Sequence, residues 1–428
     1  MEAHGDLGSF WNGPHCVAGF LFLVLCGCAK RPVLTFAAGG APAELAVWEQ
    51  IANSIERQTG IRVALQRMPA DSAQQRQALL IALRARQPDP DVFLMDGAWV
   101  GTWAAAGWLE PLPAPASGAF MPEVLQAADV FDHRLLALPV YLDAGLLYYR
   151  TDLLARSGLQ NPPQTWRELV DSAVLVQNQL RDKDAAFYGF VWQGAQYEGL
   201  VVNFLEFAGA PGGFRTHGSA LSLDLPANVH ALSLMRDCIW NLRISAPNTY
   251  TEMREEQSRS YFQEGHALYE RNWSYAWALN QSEGSKVRGK VGVTSLPGPA
   301  PGESAATLGG YHVGVSAYSD APANARRFAL YITSREVQKI LTLKLGWNPG
   351  RGDLYEDPEI LRRAPHLARL KNVFRTARPR PAVPDYTIVS EQIQAPLNAV
   401  LSRRQSPEEG LRAAQAGMDR IERRIARK

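Results

Sequence analysis

Three carboxylates in this 428-residue sequence stand where predicted strands end or break: Glu44, Asp96 and Asp143. An ionised carboxylate accepts charge-assisted hydrogen bonds, which are about twice as strong as neutral ones. Each of the three has a plainer interpretation as a helix cap or a surface charge. That interpretation weighs most on Asp96, because Asp is favoured as an N-cap where a strand meets a helix. The positions therefore predict a hydrogen-bonding ligand site, with helix capping left open as the alternative.

Aromatic residues occur at similar places. Tyr141, Trp273 and Tyr311 lie at predicted strand ends or breaks and have polar neighbours. A flat ring can cover the apolar face of a ligand, while nearby polar groups fix its orientation. The alternative is that these rings belong to the hydrophobic core. Three other tryptophans are interpreted as helix-packing residues: Trp103, Trp108 and Trp166.

Other chemistry finds little support in the sequence. It has no Gly-rich phosphate loop, no His-rich metal cluster and no Cys-x-x-Cys zinc spacing, so we predict no metal and no cofactor. The segment Gly314-Val315-Ser316-Ala317-Tyr318 begins like a nucleophile elbow but lacks the closing Gly. A glycosidase needs two carboxylates about 5–10 Å apart. Asp96, Asp143 and Glu198 keep that enzyme class open as a rival, although we predict no catalytic residue.

The composition limits the class of protein. With 46% hydrophobic and 20% charged residues, the chain is typical of a folded protein, and its length suits two or three domains or two lobes. Lys and Arg total 44 against 42 Asp and Glu, a net charge of +2, so no global basic field exists to hold a nucleic acid. After residue 28, no apolar run reaches the roughly 18–20 residues that a membrane-spanning helix needs.

The N-terminus carries an apolar stretch of nine residues, Val17 to Leu25, followed by Cys26-Gly27-Cys28. Nine residues suit the apolar region of a signal peptide, which runs about 7–15. The ending resembles a bacterial lipobox, which implies a signal peptide over 1–27, cleavage before Cys28 and lipid on its thiol. The first fifteen residues lack Lys and Arg, a departure that an upstream start codon or an atypical leader would explain. The alternative is a buried helix ending in two chance cysteines.

Strands and helices alternate along the body of the chain. Period-2 and buried runs predict strands over 32–38, 61–65, 91–95 and 312–317, and a strand-like stretch over 135–149 broken at Pro139. Apolar residues at helical spacing predict helices over 45–58, 72–86, 98–106 and 166–180, the last capped by Thr165. This alternation predicts an α/β fold with a mainly parallel sheet. Ligands bind such sheets at the carboxyl ends of the strands.

Several motifs in order resemble one family, the extracellular solute-binding proteins of ABC sugar importers, and within it the trehalose/maltose-binding branch. The motifs cover nearly the whole chain after the leader, and Ala195 and Tyr311 depart from the family's pattern. The segments that carry the resemblance are 106–112 (AGWLEPL), 137–149 (ALPVYLDAGLLYY), 158–169, 192–200, 262–268 with Asn272-Trp273, 308–311 (LGGY) and 345–349 (LGWNP) with Leu354-Tyr355.

The resemblance implies a two-lobed periplasmic-binding-protein fold of type II, like that of maltose-binding protein. Its hinged lobes would have a ligand cleft between them. One lobe would comprise residues 28–140 and 288–345, and the other 141–287 and 346–428.

A sugar offers apolar C–H faces and a rim of hydroxyls, which rings and polar groups can cover. Glu198 and Asn203 are five apart and do not share a helix face, so we expect one to face the ligand and the other to be structural. Gly310 would let the backbone approach the sugar. Arg351 resembles the family's late arginine, or is an exposed loop charge. The expected ligand-binding residues are Glu44, Asp96, Tyr141, Asp143, Glu198, Asn203, Trp273, Gly310, Tyr311 and Arg351.

The function implied by the resemblance is that of a lipid-anchored, monomeric binding subunit, not an enzyme. It would capture a trehalose- or maltose-type disaccharide outside the cytoplasm, in a periplasm or on the outer face of the membrane. It would deliver the sugar to permease subunits served by a separate ATPase. The alternatives are another glycoside or polyol such as glucosylglycerol or sucrose and, from another class, a secreted glycoside hydrolase.

Overall fold

The computed structural model describes residues 33–425 except positions 70, 218–219, 224, 382 and 384–385. The predicted signal peptide (1–27) and lipidation site (Cys28) lie outside the described residues. The described strands are β1 (Val33–Gly39), β2 (Arg62–Met68), β3 (Val92–Asp96), β4 (Val130–Phe131), β5 (Arg134–Leu135), β6 (Leu138–Ala144), β7 (Leu146–Arg150), β8 (Tyr188–Val191), β9 (Arg215–His217), β10 (Ala220–Ser222), β11 (Ala267–Asn272), β12 (Val291–Ser295), β13 (Leu308–Val315) and β14 (Asn348–Pro349).

The helices complete an α/β fold, as predicted. Those described are α1 (Pro42–Thr59), α2 (Ser72–Arg84), α3 (Gly97–Ala105), α4 (Pro122–Val124), α5 (Thr151–Arg156), α6 (Trp166–Leu180), α7 (Glu198–Ala208), α8 (Pro226–Trp240), α9 (Glu255–Gln263), α10 (Ala276–Asn280), α11 (Pro322–Ile332), α12 (Arg335–Leu345), α13 (Pro358–Arg363), α14 (Leu367–Thr376), α15 (Tyr386–Leu401) and α16 (Pro407–Ile425). Within the described range, none of these helices is both long and apolar enough to cross a membrane.

The larger sheet has six strands in the order β14-β6-β13-β3-β1-β2. Strand β1 pairs in parallel with β2 and β3, whereas β13 runs antiparallel to both β3 and β6. The prediction of a mainly parallel sheet was therefore wrong. The physical reason is that β13 inserts between β3 and β6 in the opposite direction to both, and β14 adds to the other side of β6 in that same opposite direction, so three of the five pairings are antiparallel.

The second sheet has four strands in the order β12-β7-β11-β8. Strands β6 and β7 belong to different sheets, and only Gly145 separates them. A Cβ at that glycine would come within 2.0 Å of Glu206 Oε1, so the crossing requires glycine. The break predicted at Pro139 was wrong: Pro139 lies inside β6, beside an irregularity in the pairing with β13 where its missing N–H is tolerated.

Strand β12 lies inside the segment 288–345 that was assigned to the first lobe, yet it pairs along its whole length with β7 of the four-stranded sheet. The chain re-enters the six-stranded sheet only at β13. The segment boundaries drawn from the sequence stay predictions, and the sheets place the return between residues 295 and 308.

Apolar residues pack against both sheets, and one cluster continues across the crossing from β6 to β7, where Leu142 and Ala144 pack with Leu146 and Tyr148. Helix α1 packs Trp48 edge-on against Phe36 of β1, with ring centroids 5.3 Å apart. Helix α6 has the predicted bounds, and the Thr165 hydroxyl accepts a hydrogen bond from the backbone N–H of Glu168, which confirms the predicted cap.

Of the predicted site residues, Asp96 ends β3 and Trp273 follows β11, as predicted. Tyr141 and Tyr311 lie inside β6 and β13, so the prediction that they stand at strand ends or breaks was wrong.

Candidate functional site

A row of side chains crosses the six-stranded sheet where three strands meet. Asp96 of β3 is the cross-strand partner of Tyr311 in β13, and Tyr311 is the partner of Tyr141 in β6. Cross-strand partners lie about 4.5–5.5 Å apart, so the register alone gathers three of the predicted site residues. The two tyrosine rings stack with centroids 5.7 Å apart and planes 20° from parallel, and both side chains are partly exposed.

Burial raises the pKa of both tyrosines well above the ordinary value, and nearby carboxylates raise it further. Their hydroxyls therefore keep their protons at neutral pH and can donate hydrogen bonds. The buried Trp347 ring lies 4.3 Å from that of Tyr141, centroid to centroid, and 6.1 Å from that of Trp48, so it joins Tyr141 to the apolar core. Trp347 was in a family motif but not among the predicted ligand residues; its helix-end position gave no signal for a site.

Glu44 does what the capping alternative expected. Its carboxylate accepts a hydrogen bond from the backbone N–H of Ala41 at 2.7 Å, closing the first turn of α1. The pKa of Tyr141 is raised mainly by burial, next by Tyr311 and Asp143, and then by the charge of Glu44. Glu44 is therefore close enough to act electrostatically on Tyr141. Its role in ligand binding stays a prediction.

Asp143 joins the two sheets. It lies near the end of β6, and its Oδ1 accepts hydrogen bonds from the backbone N–H of Ser274 at 2.7 Å, from the Ser274 hydroxyl, and from the N–H of Ala144 at 2.9 Å. Ser274 follows β11 of the four-stranded sheet. Burial raises the pKa of Asp143 to about 6, although the Ser274 bonds oppose the rise. The side chain remains partly exposed.

Trp273, just after β11, faces the first sheet. A Cβ added to Gly309 of β13 would come within 3.1 Å of the six-membered ring of Trp273, so the two surfaces touch. The guanidinium carbon of Arg271 lies 4.2 Å from the centroid of the Trp273 ring. The predicted stacking residue is thus at the junction of the two sheets, and it is partly exposed.

Gly310 has φ +117°, and a Cβ there would come within 2.3 Å of the Tyr141 carbonyl oxygen. The close approach that requires this glycine is to the backbone of β6. The predicted approach of the backbone to a sugar at Gly310 stays a prediction, whereas Gly309 is the glycine that lies against Trp273.

A buried arginine that sequence reasoning missed ties Asp96 to Glu198. The guanidinium of Arg380, which is 8% exposed, bonds Asp96, and its Nη1 lies 3.3 Å from Glu198 Oε1. Asp96 also accepts from the backbone N–H of Ala98 at 2.9 Å, so it caps α3 and takes part in the site at once. In the Pro-rich segment 379–384, nothing marked this arginine apart from its neighbours.

Glu198 begins α7 and collects further donors. The Tyr386 hydroxyl donates to its Oε1 at 2.9 Å, and the Ser390 hydroxyl donates to Oε2. Burial raises the pKa of Glu198, while Arg380 opposes the rise. Glu198 is therefore the member of the Glu198/Asn203 pair that the structure joins to Asp96.

Asn203 lies inside the second lobe's core. It is fully buried and donates to Gln193 Oε1 at 3.2 Å and to the Gly199 carbonyl at 2.8 Å. Arg351 is also held elsewhere: its guanidinium forks onto Asp353 at 3.0 and 2.7 Å and lies over the Phe120 ring at 5.3 Å. Among the described residues, the side-chain partners of both lie outside the cluster formed by Asp96, Tyr141, Asp143, Glu198, Trp273, Tyr311 and Arg380. Their predicted ligand roles stay predictions.

The described residues contain no group of three or more His, Cys, Asp or Glu side chains that could hold a metal ion. Instead of metal ligands, the cluster contains stacked aromatic rings, carboxylates and the guanidinium of Arg380. Rings suit apolar faces, and the charged groups suit hydroxyls or other polar substituents.

Comparison with known proteins places this geometry in context. Residues 39–339 match the model of the bacterial extracellular solute-binding protein family. A probable ABC transporter-binding protein of Deinococcus radiodurans is 33% identical over 400 residues, 92% of this chain and 94% of that protein. A mannitol-binding protein of Pseudomonas aeruginosa is 26% identical over 344 residues, 73% of this chain and 76% of its own.

Among solved structures, maltose-bound MalE3 of T. maritima superposes with a TM-score of 0.82 at 36% identity, covering 91% of this chain and 99% of that chain. The likeness confirms the predicted two-lobed architecture of the periplasmic binding proteins.

Proposed function

Because this chain belongs to the family of bacterial extracellular solute-binding proteins, we propose that it captures a disaccharide of the trehalose or maltose type for an ABC importer. One observation carries the proposal: rings and charged groups from both sheets converge at the junction where Asp143 bonds Ser274. The likeness to a maltose-bound relative supports the choice of a sugar.

The residues divide the work of sugar recognition. The indole of Trp273 and the ring of Tyr311 cover the apolar C–H faces, which is how aromatic residues commonly hold such surfaces. Asp143 and Asp96 accept hydrogen bonds from sugar hydroxyls, and the planar fork of Arg380 donates to hydroxyl oxygens. A site that pairs with most hydroxyls discriminates strongly against ligands that leave those groups unpaired.

Ligand entry closes the lobes by a hinge motion of the kind that periplasmic binding proteins undergo. The ion pairs of Arg380 with Asp96 of β3 and with Glu198 of α7 are then contacts that ligand binding and lobe closure both involve. The closed form docks on permease subunits, and a separate ATPase supplies the energy. A micromolar affinity, about −8 kcal/mol, suffices for a carrier of this kind.

The anchor is proposed from the sequence alone. Cys28, after the apolar stretch that ends at Leu25, carries the lipid and keeps the receptor outside the cytoplasm near its permease. We propose a monomer, which releases its ligand to the permease without subunit rearrangement.

A polyol is the second candidate ligand, because a relative of similar length binds mannitol. Sucrose and glucosylglycerol share the same mixture of faces and hydroxyls. A glycoside hydrolase is less well supported. Two of the carboxylates it would need, Asp96 and Glu198, are bound to the same Arg380 guanidinium, and Asp143 is occupied by Ser274.

The test is a thermal-shift screen of residues 29–428 against trehalose, maltose, sucrose, glucosylglycerol, mannitol and glucose, with product analysis of each sample. A ligand at about 100 times its Kd stabilises the folded state by about 2.7 kcal/mol, which such a screen resolves. A shift with intact sugar supports the binding protein and names its ligand class. Cleavage would favour the hydrolase, and no shift with any sugar or polyol would contradict the proposal.

Two substitutions test the site itself. Trp273→Ala removes the stacking ring, and Asp143→Asn keeps an oxygen for Ser274 but removes the charge. We expect each to weaken the Kd by at least about tenfold, measured by calorimetry, since a charge-assisted bond or a ring face is worth about 1.4 kcal/mol or more. Asn at 143 should leave the melting temperature unchanged or higher at pH 8, because it replaces a carboxylate that burial disfavours. Unchanged affinity in both variants would remove the proposed site.

A further inference from the structure

A buried charged residue lies directly behind the stacking ring. Arg271 of β11 is 1% exposed, and its Nε and Nη2 both lie 2.6 Å from the carboxylate oxygens of Glu206 in α7. Its Nη1 donates to Gln193 Oε1 at 3.0 Å. The same guanidinium lies over the indole of Trp273. One planar group therefore has its edge bound by the carboxylate and its face against the ring.

Stability alone does not account for this arrangement. Withdrawing two charges from water costs free energy that their attraction at best repays, and well-packed apolar residues of similar volume often serve as well. Arginine is distinctive because its guanidinium can fork onto a carboxylate and stack on an aromatic face at the same time, which lysine cannot do.

The same carboxylate also contacts the segment that leads into the six-stranded sheet. The backbone N–H of Thr307, one residue before β13, donates to Glu206 Oε1 at 3.2 Å. Strand β13 carries Gly309, which lies against the edge of the Trp273 ring. Glu206 and Arg271 thus hold both the indole and the start of the strand that borders it.

We infer that Arg271 is a positioning residue for ligand binding: held by Glu206, it fixes the plane of the Trp273 indole so that the ring face away from Arg271 meets the ligand. This inference rests on the proposed stacking role of Trp273. Arg271 touches the ring and not the ligand, so its effect on affinity must pass through Trp273.

The first test removes both buried charges together, in the variant Glu206→Gln/Arg271→Met, which keeps an oxygen acceptor for Thr307. The expected result is a Kd weakened about tenfold for whichever sugar the screen identifies, with the melting temperature of the free protein within a few degrees of the parent. Should this pair fail to fold, Arg271→Lys keeps a charge opposite Glu206 and is expected to weaken the Kd similarly, because it loses the fork and the stack.

A matched control comes from the same sheet. Arg150 of β7 forks onto Asp152 at 2.8 and 2.7 Å, and no aromatic ring is recorded against its guanidinium among the described residues. The variant Arg150→Met/Asp152→Asn should leave the Kd unchanged. An equal loss of affinity in this control would reduce the effect of Arg271 to general stability and overturn the inference.

A double-mutant cycle with Trp273→Leu separates positioning from a merely structural role. If Arg271 acts through the ring, the Glu206→Gln/Arg271→Met pair adds less than about a twofold loss once residue 273 is leucine. A full additional loss, or an unchanged Kd for the pair in the parent, contradicts the inference and leaves the proposed function intact. An unchanged Kd for Trp273→Leu alone would contradict both, because the ring would then not hold the ligand.

Discussion

The two sheets contribute to the cleft in opposite ways. The six-stranded sheet presents its groups directly, since Asp96, Tyr311 and Tyr141 are cross-strand partners with partly exposed side chains. On the other side, Arg271 of the four-stranded sheet and Glu206 of helix α7 are buried, and the Trp273 ring against Arg271 is partly exposed. In the proposed site, one wall would therefore contact the ligand through exposed groups, and the other through a ring that buried charges support.

Energetically, the two walls should respond differently to substitution. When an exposed group is removed, its partner can bond water or another residue, so the substitution mainly weakens ligand affinity. When one member of a buried ion pair is removed, the remaining charge is cut off from water, so the substitution mainly lowers the free energy of unfolding. The predictions below use this difference.

The largest expected effect is on the buried wall. Glu206→Ala leaves the Arg271 charge at a position 1% exposed to solvent, with Gln193 as its remaining side-chain acceptor. Breaking a buried pair in this way costs about 3–5 kcal/mol of unfolding free energy, to be measured by urea denaturation at pH 7. In Asp96→Ala, on the other wall, Arg380 keeps Glu198, and the loss should be about 1–2 kcal/mol from the helix cap and the pair. Equal losses of unfolding free energy in Glu206→Ala and Asp96→Ala would contradict the difference proposed between the two walls.

Glu270, also on the buried wall, should make stability depend on pH. It is fully buried in β11, and burial raises its pKa to about 7 from the ordinary 4.5. A raised carboxyl pKa stabilises the fold below the unfolded-state pKa, and this contribution is lost as pH rises from about 4.5 through about 7. Glu270→Gln should therefore stabilise the protein by roughly 3 kcal/mol at pH 8 and by little at pH 4.5.

The amide at 270 can be accommodated. Asn272 donates to Glu270 Oε1 at 2.6 Å, and the buried Asn280 Oδ1 has no recorded partner, so a flipped Asn280 amide could accept from glutamine. Melting temperatures of parent and variant across pH 4.5–8 give the measurement. A gain of the same size at both ends of the range would show that the Glu270 charge is not the cause.

The smallest and most selective effect comes from neighbouring glycines of β13. Gly310→Ala places a Cβ within 2.3 Å of the Tyr141 carbonyl at φ +117°, so it should cost about 2 kcal/mol or more in unfolding free energy. Gly309→Ala meets the Trp273 ring at 3.1 Å, which asks for only a small shift of the indole. We expect its stability to change by less than about 1 kcal/mol while the Kd for the sugar weakens severalfold. The reverse pattern would mean that Gly310 borders the ligand.

Local sequence patterns predicted an element well where apolar periodicity and a capping or turn residue were both present. Helix α6 matches its predicted bounds because a capping box starts it and one apolar face spans it. The break between β6 and β7 was misplaced because Pro139 is the stronger local signal. The actual crossing is at Gly145, where Glu206, sixty-one residues away in the chain, leaves no room for a Cβ.

The candidate site also contains residues that the sequence predicted and residues that only the folded structure brings in. Asp96 and Trp273 stand at or just after strand ends, where the sequence placed them, and Asp143 lies near the end of β6. Tyr141 and Tyr311 lie inside β6 and β13 instead, and the pairing of those strands brings them beside Asp96. Asn203 and Arg351 carried similar motif signals but have partners elsewhere. Arg380 and Arg271 had no such signal, because an arginine's partner is set by folding and not by its neighbours in the chain.

By itself, the sequence determined many of the helices and strands and the position of Asp96 at a strand–helix junction, since these follow from periodicity and from short-range capping. The tertiary structure alone decided the strand order, the antiparallel entry of β13 and the pairing of charges. Arg380 meets Asp96 across 284 positions of the chain. No local pattern encodes such a contact, because its free energy depends on burial that exists only after both lobes have formed.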